Sequence, residues 1–312
     1  MLVAATAAFV LLHVAPGDLY STAGSGSGMS PEVRATLRAH RGYDLPIIQQ
    51  YVHWLRAFVS GDFGWSASQN RWVADILIAA LPRTLLLMLL AFCSSLALGM
   101  GIGAWQGARA ETRGAKADAT DKVVSLVTLL VYSLPEFWLA LALMFCFVHW
   151  WPVLPATGVV GDSYAYMSAS EQIVDRVRHL ALPWLSLTLV GTAVFTRFQR
   201  AAMHDAIREP FVRAARAKGS RESAVRWQAW RTSLSPVLSV AGMLFPALLG
   251  GAVFVEVVYA WQGMGYELLR GIAARDYEMI AAIVVIGSAM TSLGSLLADV
   301  AREFVDPRVR AS

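Results

Sequence analysis

Five long apolar stretches constrain this chain more than any other feature. They are roughly Thr84–Gly107, Val123–Trp150, His179–Thr196, Pro236–Tyr259 and Met279–Val300. About 20 mostly apolar residues suffice for a helix to cross the hydrocarbon core of a bilayer. In hydrocarbon every backbone N–H and C=O must find a partner within the protein, so stretches of this length imply helices. Composition agrees, with 56% hydrophobic and 15% charged residues and a mean hydropathy of +0.51. A soluble domain carries about 25% charged residues. The expected fold class is therefore an all-α integral membrane protein. His179–Thr196 is the weakest of the five, interrupted by Pro183, Ser186, Thr188 and Thr192. Small and hydroxyl residues of that kind suit a helix packed on other helices.

The opening residues, Met1–Val14, are apolar but too short to span, and no basic residue precedes them as a secretory signal would require. The expectation is a first transmembrane helix, residues 1–15, of which only part is present, giving six spans. Lys and Arg set their direction. The loops after Gly107 and after Thr196, together with the tail, hold sixteen of the 26 basic residues, which makes that side cytoplasmic and puts both termini there. Residues 16–80 then form an outer segment. It contains the turn Pro16-Gly17-Asp18, a flexible stretch Ser21–Gly28, a short helix from Ser30 to about His40, and an amphipathic helix Ile47–Val59. Residues 81–305 form the transmembrane core, with a cytoplasmic loop at 204–235, and 306–312 a cytoplasmic tail.

Enzymatic constellations are missing from the sequence. There is no phosphate-binding G-x-x-x-x-G-K-[ST] loop and no H-E-x-x-H pair, and the six histidines are scattered. Cys93 and Cys146 each sit in an apolar run without a partner at metal-ligand spacing, so no metal site is expected. The basic balance of +4 is accounted for by cytoplasmic loops, with no need for nucleic acid as a partner. His149, beside Trp150 and Trp151, reads as an interfacial anchor.

The informative loop is 204–235. Phe211-Val212-Arg213-Ala214-Ala215-Arg216-Ala217-Lys218 is a strong helix former with a basic last turn, and Gly219 follows where a left-handed residue ends a helix. A second helix over Arg221–Arg231 leads towards Pro236. The small side chains at 214, 215 and 217 would let a partner surface approach the backbone closely.

Residues 211–219, FVRAARAKG, resemble the cytoplasmic "EAA" loop of ABC importer permeases, in the form used by the dipeptide, oligopeptide and nickel branch. Further segments resemble that branch in order along the chain: Ala15–Asp18, Gln50-Tyr51, Gly61–Gly64, Leu134–Trp138, Leu154–Gly158, Glu256, Gly263–Gly265, Arg275–Tyr277 and Asp306–Arg308. Departures are Arg213 in place of the Glu that names the loop, Gln262 in place of a Pro, and the run Gln228–Thr232. The opening also lacks the family's basic residues.

The resemblance implies a permease subunit of a bacterial inner-membrane importer that moves peptides or related solutes, such as nickel complexes or glutathione, by alternating access. It further implies a second permease subunit, in this branch usually a different chain, two ATPase subunits and a periplasmic or lipid-anchored solute-binding protein. ATP and Mg would bind the ATPase chains, with no cofactor and no enzymatic activity in this one. Phe211, Val212, Arg213, Ala214, Ala215, Arg216, Ala217, Lys218 and Gly219 would form the ATPase-coupling helix. Pro135 and Glu136 are candidates for lining the pathway, because an ionisable group within a span is costly in lipid and a proline there frees a carbonyl. Glu256 and Asp299 read as structural, the latter paired with Arg302 at helical spacing. A secondary transporter would need no ATPase-docking helix, and a membrane enzyme would need convergent polar groups at one leaflet.

Overall fold

The computed structural model describes residues 2–14, 45–113 and 119–305. The expected turn at 16–18, the stretch 21–28, the helix near 30–40 and the tail at 306–312 lie outside those residues, as do the side chains of Asp299 and Arg302. The described chain is built almost wholly of helices: α1 (Leu2–Val14), α2 (Ile47–Val59), α3 (Val73–Arg113), α4 (Ala119–Ser133), α5 (Glu136–Met144), α6 (Ala169–Ala206), α7 (Pro210–Ala217), α8 (Glu222–Val258), α9 (Met264–Ala274) and α10 (Tyr277–Val305). A two-stranded hairpin, β1 (Trp65–Ser66) with β2 (Arg71–Trp72), precedes α3.

Among the described residues three helices are long and apolar enough to cross a membrane: Val73–Arg109, Ala169–Ala206 and Tyr277–Leu297. Two bent pairs, α4 with α5 and the two arms of α8, raise the number of spans to as many as five. The expected span Val123–Trp150 is found as a bent pair of helices that begins at Ala119. Its axis turns by 109° at Leu134-Pro135, and the arm after the turn ends in a π-helical segment, Phe145–Trp150. Proline disfavours helical backbone in the residue before it and cannot donate into the preceding turn. α4 therefore stops at Ser133, and Pro135 becomes the N-cap of α5, its carbonyl accepting from Trp138 N at 3.0 Å. Each 15-residue arm is about 22 Å long, short of the roughly 30 Å core.

The chain divides into two compact units. One comprises residues 1–84 and 262–292, the other 85–261 and 293–312. In the first, Val73, Ile76, Leu77 and Ala80 of α3 pack with Met264, Met279, Ala282 and Ile283. The hairpin is fastened to the same unit by carboxylates. Ser66 Oγ and Ser68 Oγ donate to Asp276 Oδ2 at 2.5 and 2.7 Å, and Trp65 N donates to Glu278 Oε2 at 2.7 Å. Asp276 Oδ1 accepts from Met279 N at 3.4 Å, so this one side chain also caps α10. The preceding Arg275 is left-handed, φ 55°, and ends α9.

The second unit is organised around α6. Far from being a marginal span, this helix is the most enclosed of the three long ones, with Pro183 inside it and Ser186, Thr188, Thr192, Thr196 and Gln199 buried. Ser95, Gly99, Gly103 and Gly107 recur every fourth residue on α3 and face it. A Cβ at Gly103 would lie 2.5 Å from Thr196 O, one at Gly107 2.8 Å from Arg200 O, and one at Gly191 of α6 2.7 Å from Ser95 Cβ. Backbones that approach this closely gain dispersion and leave no room for a side chain. Phe195 of α6, against Gly99 of α3, also packs with Val237 and Ala241 of α8. Tyr259, just past α8, reaches across, its hydroxyl donating to Ala140 O at 2.8 Å and lying 3.0 Å from Ser186 Oγ.

Gly103→Leu should lower the melting temperature of the purified protein, at a cost of about 1–3 kcal/mol for overpacking. Gly101→Ala is the control. A Cβ there meets nothing within 4 Å, so stability should hold or rise slightly, as measured by thermal unfolding in detergent.

Candidate functional site

The segment that carries the expected partner site folds as a short helix on its own seat. α7 begins with Pro210 at its first position, where the missing N–H costs nothing, and Glu209 as N-cap. It ends at Lys218, after which Gly219 takes φ +74° and Ser220 N donates back to Ala215 O at 3.1 Å. The expected C-terminus at Gly219 is what the structure has, a left-handed residue closing the last turn. Arg221 then caps α8, and Arg216 Nη2 meets Glu222 Oε1 at 2.7 Å across the turn, fixing the angle between the two helices.

One face of α7 is committed to its own subunit. Val212 is fully buried among Met203, Ala206 and Ile207 at the end of α6 and Val225 and Ala229 of α8. Phe211, Ala215 and Trp230 close over the same cluster, with Ala104 and Ala108 of α3. Ala215 therefore faces inward, which corrects the expectation that it is open to a partner. Three residues after Val212, it lies on the same helical face. Arg213, Ala214, Ala217, Lys218 and Gly219 form the exposed face. The departure Gln228–Thr232 falls on the seat, where Ala229 is buried and Trp230 stacks on Trp227 with centroids 4.8 Å apart.

Next to this seat lies a polar junction that sequence inspection missed. Arg200 of α6 donates to Asp121 Oδ2 at 2.8 Å and to Ser125 Oγ at 2.7 Å, both on α4. The buried Gln106 of α3 donates to Asp121 Oδ1 at 2.9 Å. α4 has no buried residue of its own, so these bonds, with Arg197 over the Tyr132 ring at 4.8 Å, anchor it to the rest of the unit. The polar residues Gln106, Asp121 and Arg200 were visible in the sequence; their pairing is a tertiary fact.

Glu136 and Pro135 sit at the 109° break. Pro135 is exposed and Glu136 half-buried, in the first turn of α5, where a carboxylate favours the helix dipole. The Glu136 carboxylate lies against Gly251 of α8, and a side chain at Gly251 would collide with it. His149 stacks on Phe145 in the π-helical segment and is exposed beside Trp150 and Trp151. Among the described residues no three His, Cys, Asp or Glu side chains converge as metal ligands would.

Arg200→Met should destabilise the protein by about 1–3 kcal/mol by leaving Asp121 with one partner fewer. Adding Asp121→Leu should recover much of that loss, since the half-buried carboxylate is then gone. A double-mutant cycle on thermal unfolding in detergent checks this.

Comparison with known proteins agrees with this architecture. Residues 99–311 match the family described as binding-protein-dependent transport system inner membrane component. Over its length the chain is 31% identical to the oligopeptide transport system permease protein AppB of Bacillus subtilis, covering 96% of this chain and 92% of that one. It is 35% identical to the oligopeptide transport system permease protein OppB of Mycobacterium tuberculosis, covering 90% and 86%. With the dipeptide transport system permease protein DppB of Escherichia coli K12 it shares 30% identity, covering 97% and 92%. With a family match over two thirds of its length and relatives aligned nearly end to end, this chain belongs to the binding-protein-dependent transport system inner membrane components, and is a membrane permease subunit.

Proposed function

We propose that this subunit moves peptides across the bacterial cytoplasmic membrane and is driven by separate ATPase chains that bind the exposed face of α7. The observation that carries the coupling role is the division of α7 into two faces. A connector needs neither a buried Val212 nor an ion pair fixing its exit angle, whereas a lever needs both. Arg213, Ala214, Ala217, Lys218 and Gly219 are the docking face. Phe211, Val212, Ala215 and Arg216 hold that face on the ends of α6 and α8.

The peptide assignment rests on the relatives, whose names specify oligopeptides and dipeptides. Nickel complexes and glutathione-like solutes are the other cargoes that the resemblance admits. ATP and Mg belong to the ATPase subunits, and this chain needs no cofactor of its own. A second permease subunit and a solute-binding protein complete the assembly. The excess of Lys and Arg puts α7, the start of α8 and both termini on the cytoplasmic side. Pro135 and Glu136, at the break between α4 and α5, line the translocation pathway. Transport follows from the differential affinity of the assembly for two states, set by ATP on the partner chains.

The test is co-purification from solubilised membranes, comparing wild type with an Ala214→Glu, Ala217→Glu variant. Both positions are exposed, so the variant should unfold at the wild-type temperature. It should lose its ATPase subunit by roughly tenfold or more, and uptake of labelled dipeptide should fall with it. Equal recovery of the ATPase with the variant would contradict docking on this face. Co-purification of ATPase without any peptide uptake by wild type would contradict the peptide assignment alone.

A further inference from the structure

The amphipathic helix Ile47–Val59 takes no part in the site described above, yet α2 carries two apolar faces. Tyr51, Trp54 and Phe58 make the first. Phe9 of α1 meets the Tyr51 ring edge-on at 5.1 Å and the Trp54 ring at 5.8 Å. Trp54 and Phe58 pack against the cluster of Ala5 and Ala8 of α1 with Ala281 and Val285 of α10, as does Tyr277. The second face is Ile48, Val52 and Val59, which are 75%, 40% and 82% exposed. Their spacing of four and seven residues puts them on one line, about 100° around the helix from the first face. The remaining arc is polar, with Gln49, His53 and Arg56.

The contacts with α10 fix the depth at which this second face lies. The apolar span of α10 runs from Tyr277 to Leu297, and the cluster that α2 joins takes in Tyr277, Ala281 and Val285 of that span. They fall within its first nine residues, a rise of about 12 Å at 1.5 Å per residue. α2 is thus beside the end of a membrane span, where acyl chains give way to headgroups, and well short of the far leaflet. At 13 residues it is too short to cross, and its polar arc excludes burial in hydrocarbon on all sides.

We propose that α2 is an interfacial helix whose occupant is lipid: Ile48, Val52 and Val59 rest at the boundary of acyl chains and headgroups, and Gln49, His53 and Arg56 face the aqueous side. Continuity with the span of α10 is what selects lipid over a protein partner. A broad apolar face with a polar remainder and low overall hydrophobicity is the pattern of helices that lie in that plane. The lipid seat has a structural consequence within the same unit. From Val59 the chain turns through Gly61 and Gly64, both at positive φ, into the hairpin that Asp276 and Glu278 hold. The membrane surface would therefore set the height of the hairpin as well as of α2.

The test uses the full assembly with Cys93→Ser and Cys146→Ser, reconstituted in vesicles of phosphatidylethanolamine and phosphatidylglycerol. Ile48→Cys, Val52→Cys, Val59→Cys and His53→Cys each receive a nitroxide label. Collision with oxygen, which partitions into lipid, is compared with collision with a water-soluble nickel chelate. The expected result is an oxygen-to-nickel ratio roughly tenfold higher at 48, 52 and 59 than at 53. A ratio at those three positions equal to that at 53 would overturn the proposal, by placing the face in water. Labels shielded from both reagents would overturn it as well, because protein, from this chain or a partner subunit, would then be the occupant.

Discussion

Everything in the larger unit depends on the close approach of α3 and α6. Between helices in lipid there is little hydrophobic driving force, because acyl chains are as apolar as leucine. What remains is contact between backbones, and contact requires the absence of side chains. Gly99, Gly103 and Gly107 supply that absence on α3 at intervals of four, and Gly191 supplies it on α6 opposite Ser95. Fixed against α3 in this way, α6 holds Phe195 where it meets both α3 and α8. Its far end, Met203 to Ile207, becomes the floor on which α7 sits.

Polar groups then do at specific points what packing does along the seam. Tyr259 satisfies the carbonyl of Ala140 and meets Ser186, joining α5, α6 and the end of α8. Arg200, Asp121, Ser125 and Gln106 join α4, which has no buried side chain, to α3 and α6. In the other unit Asp276 caps α10 with one oxygen and holds the hairpin with the other. Each of these is a buried or half-buried group with its partners in place, which is the condition under which such groups give rigidity and not instability.

Much of this was legible in the residues, and the failures have physical causes. The amphipathic helix Ile47–Val59 and the end of α7 at Gly219 follow from helical periodicity and from glycine's tolerance of positive φ. The hydroxyl-rich stretch around Thr188 read as a packed helix, and it is packed. Its length was underestimated because polar residues at both ends of α6 lie beyond the apolar window. Pro135 announced a disturbance, but the difference between a kink and a 109° turn depends on what the two arms pack against. Ala215 was placed on the wrong face although Val212, three residues earlier, held the clue. The every-fourth-residue glycines on α3 were equally visible, while their partner on α6 was not, since no local rule pairs residues 90 positions apart.

The central claim is that α7 moves only as part of α6 and α8, so that force applied to its exposed face reaches the membrane. Spin labels at the exposed Ser220, which closes the last turn of α7, and at the exposed Phe198 on α6 report it directly, through their separation in the assembled transporter with and without trapped ATP. The account predicts one narrow distance distribution that is the same in both states. A distribution that broadens or shifts when ATP is trapped would show α7 moving on its seat, and would contradict a rigid lever.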